Sequence, residues 1–349
     1  MDSYFDVALI DVQRDGQRRS FYSSAPGRKG QREANSKADQ WLEDGIETTT
    51  LRVEAVYPQW LETVRLTTSL PNYNKAESQW RIWIQPMIGK KRLVALNDQD
   101  LQDIVNKMYS QGRSRKTLQN LASNLRAFCK YCRKRKLTSY VPEDLTIPSG
   151  ARLVGKKILQ PDELAVLFRE STTMWRGKEV EDAYINAYRF QVLTGLRPGE
   201  LIGLRWGDIH GNILYIQRSV NTLGQETRGK NHNAVRSFVL TQMAQQVLEE
   251  QRKLTGKEDS VFGIPKESNY YSRWKAYCKT HNLTPISLYE LRHTFVSVIK
   301  TLPAGTVKPL VGHSQDMDTF GVYAHALAGE GERTANAIND IFQKLLGNE

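Results

Sequence analysis

Hydrophobic and polar positions along this chain change period early. Residues 4–12 alternate as in a half-buried strand, Asp15-Gly16 is a tight-turn signal, and Phe21 and Tyr22 fall in a returning strand. After the break from Ser23 to Gly27, Ala34, Ala38 and Trp41 share one face of a helix expected over 31–43, which can cover the small sheet. From about Thr48 the period becomes helical. Val53, Tyr57, Trp60 and Val64 mark one apolar face; Ala76, Trp80, Trp83, Ile84 and Met87 a second; Leu101, Ile104, Val105 and Met108 a third; Leu118, Leu121, Leu125, Phe128 and Cys132 a fourth. Residues 141–156, with Pro142, Pro148, Gly150 and Gly155, read as a linker. Beyond it, Gln160–Leu164 starts a helix and residues 179–193 form another that Gly195 is placed to terminate. Ile213–Ile216 and Ser237–Leu240 read as strands flanking a polar loop, and helices then return. The expected fold class is mainly α and multidomain. A small α+β domain covers 1–46, a four-helix domain 47–148, a linker 149–156, and a mostly helical domain with a small antiparallel sheet 157–349.

Charge sharpens this division. The net charge of +11 is concentrated: residues 1–45 carry 7 basic and 8 acidic side chains, residues 46–156 carry 19 and 9, and residues 157–349 carry 23 and 21. A four-helix unit holding nearly all the excess positive charge is suited to a polyanion such as a nucleic-acid backbone. The residues expected to grip DNA are Arg113, Arg115, Lys116, Arg126, Lys130, Arg133, Lys134, Arg135 and Lys136, in and around the longest helix. The tryptophans of this unit read as core rather than base-stacking platforms.

No apolar run approaches the ~18 residues of a membrane span, and Met1–Asp6 lacks the basic start and apolar stretch of a secretory signal. A cytoplasmic protein without membrane contact is expected. The three cysteines, Cys129, Cys132 and Cys278, do not make a disulfide framework. Cys129-x-x-Cys132 and Cys278-x-x-His281 could formally supply four zinc ligands, but they lie in different expected domains, and core packing is the better reading. No metal or cofactor is expected.

Chemistry concentrates towards the C-terminus. Tyr289-Glu290-Leu291-Arg292-His293-Thr294 places an arginine one helical turn after a polar aromatic, and Gly312-His313 is followed ten residues later by Tyr323. Upstream, Thr194-Gly195-Leu196-Arg197-Pro198-Gly199-Glu200 holds Arg197 in a bend between two helices, beside an N-terminus that favours an anion. Groups that neutralise a phosphate, together with a hydroxyl that can attack it, point to metal-free phosphoryl transfer.

These segments resemble the tyrosine recombinase superfamily and, within it, the integrases of bacteriophages and integrative mobile elements. The matching pieces are TGLRPGELIGLRW from Thr194 to Trp206, SLYELRHTF from Ser287 to Phe295, and VGHSQDMDTFGVYAH from Val311 to His325. The resemblance implies an arm-site DNA-binding domain over 1–46, a core-binding domain over 47–148 and the catalytic domain over 157–349. The first shows only two clear strands where the family usually has three.

By the same resemblance, Arg197 and Arg292 bind the scissile phosphate, His313 contacts it, and Tyr323 is the nucleophile that forms a 3′-phosphotyrosyl bond. Lys230 would be the general acid for the departing 5′-oxygen, with Arg228 as the fallback, although Val239 stands where the family usually has proline. Tyr289 occupies the position of the usual histidine. Its phenol can donate a hydrogen bond but is a poorer proton exchanger near neutrality. The implied activity is site-specific integration or excision of a phage or mobile element at double-stranded DNA attachment sites. A homotetramer would act, with accessory DNA-bending or directionality factors as further partners. Residues after Tyr323, including Ile338, Ile341, Phe342, Leu345 and Leu346, would dock on a neighbour or pack within their own subunit. A type IB topoisomerase-like enzyme and a non-catalytic DNA-binding protein are the alternatives.

Overall fold

The alternation at the start of the chain becomes two antiparallel strands, β1 (Ala8–Arg14) and β2 (Gln17–Ser23), paired from Ala8 with Ser23 to Arg14 with Gln17. The computed structural model describes residues 8–14, 17–227, 235–312 and 329–347, so the Asp15-Gly16 turn lies outside the described residues. Helix α1 (Gly27–Thr50) covers the strands with Ala34, Ala38 and Trp41, and Trp41 meets Phe21 at 5.7 Å between ring centroids. This helix is longer than the expected 31–43: no proline interrupts it, and its backbone stays helical through Gly30 and Gly45.

The chain divides into two compact units, Met1–Val154 and Gly155–Glu349. In the first, α2 (Val53–Thr67), α3 (Leu70–Gln79), α4 (Gln85–Ile88), α5 (Asp98–Ser110) and α6 (Arg115–Lys134) surround one core. A π-turn over Trp80–Ile84 joins α3 to α4. Its cause is Pro86, which cannot donate to Ile82 and whose ring would crowd that carbonyl; the backbone widens, and Gln85 N–H reaches Trp80 O instead. At the centre Tyr57 stacks on Trp80, 4.3 Å between ring centroids, and meets Phe128 at a tilt, 4.6 Å away. Each such apolar side chain contributes roughly 1.5–3 kcal/mol by burial. Trp60, Trp80 and Trp83 belong to this core, as expected from their spacing. The stretch after α6 is strapped to α5: Asp98 accepts from Tyr140 Oη and Glu143 N, and Leu145 is buried.

The second unit contains α7 (Pro161–Arg169), the hairpin β3 (Thr172–Trp175) and β4 (Lys178–Glu181), α8 (Ile185–Thr194) and α9 (Pro198–Ile202). The hairpin corrects the helix expected over 179–193, which begins only at Ile185. Arg176 and Gly177 both adopt positive φ, at 52° and 80°, which is the two-residue turn that closes a hairpin. A three-stranded antiparallel sheet follows, made of β5 (Ile209–His210), β6 (Ile213–Ile216) and a strand β9 (Arg236–Val239) separated from β6 by the short pair β7 (Ser219–Val220) and β8 (Glu226–Thr227). Ile213 pairs with Val239 and Ile216 with Arg236, so the two strands read from the sequence are partners.

Helices α10 (Gln242–Thr255), α11 (Glu267–Thr280), α12 (Leu288–Val298), α13 (Ala304–Val311) and α14 (Glu330–Leu346) complete the unit. Helix α14 packs within its own subunit: Ile338 and Phe342 are buried in this core, Phe342 lies 6.4 Å from Phe295, and Asn339 accepts from Met243 N in the first turn of α10. The fold is mostly helical with small antiparallel sheets. Among the described residues no helix is long and apolar enough to cross a membrane.

Candidate active site

Gly195 ends α8 in the left-handed conformation, φ 64°, and a Cβ there would meet Phe295 Cδ1 at 2.3 Å. Only glycine permits both the turn and this approach of α8 to α12. Arg197 follows as the residue before α9, with Pro198 in the first helical position. The Glu200 carboxylate reaches back to it twice: Arg197 N–H donates to Oε2 at 2.9 Å and Arg197 Nη1 to Oε1 at 2.6 Å. Gly199 lies so close to β7 that a Cβ would stand 2.4 Å from Val220 O, which fixes the start of α9 against that strand.

Arg292 sits in the second turn of α12 and is almost entirely buried. Its Nη1 donates to Gly195 O at 2.8 Å and its Nη2 to Val311 O. Arg197 Nη2 donates to the next carbonyl, Gly312 O, at 3.1 Å. A third guanidinium takes the carbonyl before both, with Arg236 Nε donating to Leu310 O at 2.8 Å. Helix α13 ends at these residues and Gly312 leaves it with φ 57°. The last carbonyls of a helix have no partners within it and carry the negative end of its dipole, so three cations are well placed there. Three successive carbonyls, Leu310 to Gly312, thereby fix the directions of three arginines immediately before His313 in the chain.

Glu200 is the shared counter-ion. Besides Arg197 it accepts Arg236 Nη1 at Oε1, 3.0 Å, and Arg236 Nη2 at Oε2, 2.9 Å. Burial alone would raise its carboxyl, but the hydrogen bonds and charge of Arg236, together with Arg197, outweigh that and hold it below its ordinary value. Burial, and next the Arg197 charge, push the Arg292 guanidinium down to about 10, still charged at neutral pH. Three guanidiniums gather at this helix end, two of them bonded to the one carboxylate, and the excess positive charge favours an anion. Planar N–H forks held in fixed directions suit the oxygens of a phosphate.

Tyr289 stands one turn before Arg292 on α12, 40% exposed, with its ring edge-on to His293 at 5.3 Å between centroids. Burial, then the Lys156 charge, lower the pKa of His293, which favours the neutral imidazole. The structure thus gathers Arg197 and Arg292 and sets Tyr289 beside Arg292. Lys230, its fallback Arg228, His313 and Tyr323 lie outside the described residues. Of the residues that organise the site, Arg236 escaped the sequence reading, whereas Glu200 could be read there either as orienting Arg197 or as facing solvent. Glu200 carried the signal of a carboxylate three residues after the bend, in the first turn of a helix. Arg236 was a charge next to an apolar strand, which is an ambiguous mark without knowing that its side chain is only 8% exposed.

In the first unit, α6 carries the basic residues outward. Arg113, Lys116, Lys130 and Arg133 to Lys136 are exposed, whereas Arg115 and Arg126 are half-buried. Arg113 lies over the Trp83 ring at 5.8 Å, and Arg126 approaches Asp144 at 3.9 Å. Helix α6 ends with Lys136 in the left-handed conformation, Leu137 N–H reaching Cys132 O, so its basic cluster surrounds the negative end of the helix dipole. Cys129 and Cys132 are buried, and burial pushes both thiols up to about 12. His281 instead bonds Thr172 O through Nε2. Among the described residues no cluster of three or more His, Cys, Asp or Glu is placed to hold a metal ion.

Comparison with known proteins defines the class. Residues 157–330 match the phage integrase family, and the chain belongs to this family of tyrosine recombinases, enzymes that break and rejoin DNA. It is 25% identical to a tyrosine recombinase XerC-like protein of Caldanaerobacter subterraneus subsp. tengcongensis, the match covering 93% of this chain and 92% of that one. It is also 26% identical to the ICEBs1 integrase of Bacillus subtilis, across 50% of this chain and 56% of the relative. In fold it is similar to the Tn1549 transposon integrase solved with circular intermediate DNA, with TM-score 0.65, 19% identity, and coverage of 81% of this chain and 98% of that one. A lambda integrase tetramer bound to a Holliday junction matches with TM-score 0.59 and 14% identity, over 91% of this chain and 98% of that one.

Proposed function

We propose that this chain is a site-specific DNA recombinase that integrates or excises a phage or mobile element through a 3′-phosphotyrosyl intermediate. The observation that carries this reading is the convergence of Arg197 and Arg292 on the adjacent carbonyls Gly312 and Val311. Their two guanidiniums neutralise the scissile phosphate and stabilise the charge that grows on its oxygens as the nucleophile approaches. Tyr289 donates a hydrogen bond from its phenol to a phosphoryl oxygen, and His313 binds the same group.

Tyr323 attacks phosphorus with its phenolic oxygen, releasing its proton to solvent, the P–O5′ bond breaks, and Lys230 gives the departing 5′-oxygen its proton. The tyrosyl phosphodiester keeps the energy of the broken link, so a 5′-hydroxyl from a second duplex can reverse the step and exchange strands. The basic face of α6 grips the backbone and positions the cleavage point, whereas sequence must be read elsewhere. Residues 1–46 act as an arm-site module and 47–148 as a core-binding module. Four copies work on two double-stranded attachment sites in the bacterial cytoplasm, with accessory DNA-bending or directionality proteins setting the outcome.

The test is intramolecular recombination. A plasmid carrying two direct copies of the DNA flanking the gene, incubated with purified protein, is expected to yield two smaller circles joined at one position. Relaxation of supercoils without site preference would instead assign a topoisomerase, and DNA binding without cleavage a non-catalytic protein.

A further inference from the structure

Arg236 has no role in the reaction described above, yet its guanidinium holds both Glu200 oxygens and the Leu310 carbonyl at the end of α13. It lies at the start of β9, two residues beyond 228–234, the segment that includes Lys230. Its guanidinium spans two elements. Nη1 and Nη2 take both oxygens of Glu200, at 3.0 and 2.9 Å, and Nε takes Leu310 O at 2.8 Å. The side chains of Arg236 and Glu200 are 8% and 3% exposed, so this is a buried, bidentate ion pair with a third hydrogen bond on the same plane.

The consequence lies in what Glu200 does next. Each of its oxygens is shared between Arg236 and Arg197, Oε1 with Arg197 Nη1 and Oε2 with Arg197 N–H. A carboxylate bound by one guanidinium alone can swing about its side-chain torsions. Held from the far side by a planar fork, it presents both oxygens to Arg197 in one orientation. The Leu310 contact fixes the same fork to the end of α13, two residues before Gly312, whose carbonyl Arg197 also holds. Lysine cannot reproduce this, since a single ammonium lacks the rigid fork that reaches both oxygens and the carbonyl together.

We propose that Arg236 is a positioning residue for DNA cleavage, setting the direction of Arg197 through Glu200 and tying the α13 end before His313 to the strand that follows Lys230. This rests on the recombinase reading above. It assigns Arg236 no contact with DNA. Removing it should therefore slow the chemical step without weakening the complex with DNA.

The experiment separates binding from cleavage. Arg236→Ala and Arg236→Lys are made in the full chain and mixed, at saturating concentration, with a nicked suicide duplex bearing the attachment site; covalent adduct is followed in a single turnover. Dissociation constants are measured in a Tyr323→Phe background, and thermal unfolding in all proteins. The alanine variant is expected to cleave about 100-fold more slowly, the scale of an ångström-level misplacement, and the lysine variant to recover about tenfold of that loss. DNA affinity should stay within about threefold, as no phosphate contact is removed.

Cleavage by either variant at the wild-type rate would overturn the proposal. So would a loss accounted for by weaker DNA binding or a smaller folded fraction. If the alanine variant does not fold, the lysine variant decides: about tenfold slower cleavage at unchanged affinity supports the role, and unchanged cleavage rejects it. Absence of adduct from the unsubstituted protein overturns the recombinase reading itself, and the proposal with it.

Discussion

Glu200 concentrates the electrostatics of the site in one side chain. Its carboxyl is held below its ordinary value, so the folded state binds its proton more weakly than the unfolded chain does. The stability it contributes is fully present above the ordinary carboxylate value of 4.5 and is lost as pH falls through the depressed folded value. Glu200→Gln leaves the buried Arg236 guanidinium and the partly exposed Arg197 guanidinium facing a neutral amide and is expected to lower stability at pH 7 by about 3 kcal/mol. Denaturant unfolding at pH 7 and below pH 4.5 checks this: the deficit should shrink in acid, and a deficit independent of pH would argue against the ionic role. Arg197 and Arg292 were legible from their motifs because the glycine, proline and apolar neighbours that aim them are close in sequence. Glu200 was legible only as a residue that either orients Arg197 or faces solvent, and Arg236 not at all, because the importance of their pairing comes from burial and from elements distant in sequence.

Among the elements, helical faces were the most readable feature. The apolar stripes of α2, α5 and α6 turned inward as their spacing required, because a helix of that length has one economical way to bury them. The β3–β4 hairpin was missed since its strands are four residues each and Arg176-Gly177 is a weak turn signal beside a longer helical pattern. Helix α14 shows a different limit: its apolar side was clear, but periodicity does not say whose surface it meets. It meets its own subunit, where Phe342 is fully buried. Phe342→Ala is therefore expected to cost about 3–5 kcal/mol in dilute protein, independent of protein concentration; a concentration-dependent loss would mean that the helix belongs on a neighbour. For α6, replacing both Lys130 and Lys134 by alanine should reduce the slope of log affinity against log salt by about 1.8, close to 0.9 per phosphate contact. An unchanged slope in a binding titration would remove these two lysines from the DNA interface.

At the scale of the molecule, a strongly basic helical unit and a second unit that directs two arginines to one helix end fit the proposed division of labour, in which one holds a DNA backbone and the other performs chemistry on a phosphate. The expected division into 1–46, 47–148, a linker over 149–156 and 157–349 came from charge distribution and from the run of proline and glycine after α6, whereas the identity of the nucleophile rests on the motif around Tyr323. The central claim is that this tyrosine becomes joined to the 3′-phosphate of the cut strand. Its most direct test is to trap the protein on a nicked suicide duplex in the presence of a chelator, digest the adduct, and locate the modified residue and the DNA end by mass spectrometry. A phosphonucleotide on Tyr323, with a free 5′-hydroxyl released and no adduct from Tyr323→Phe, is the result expected. An adduct on another residue, or one that persists in Tyr323→Phe, would contradict the account.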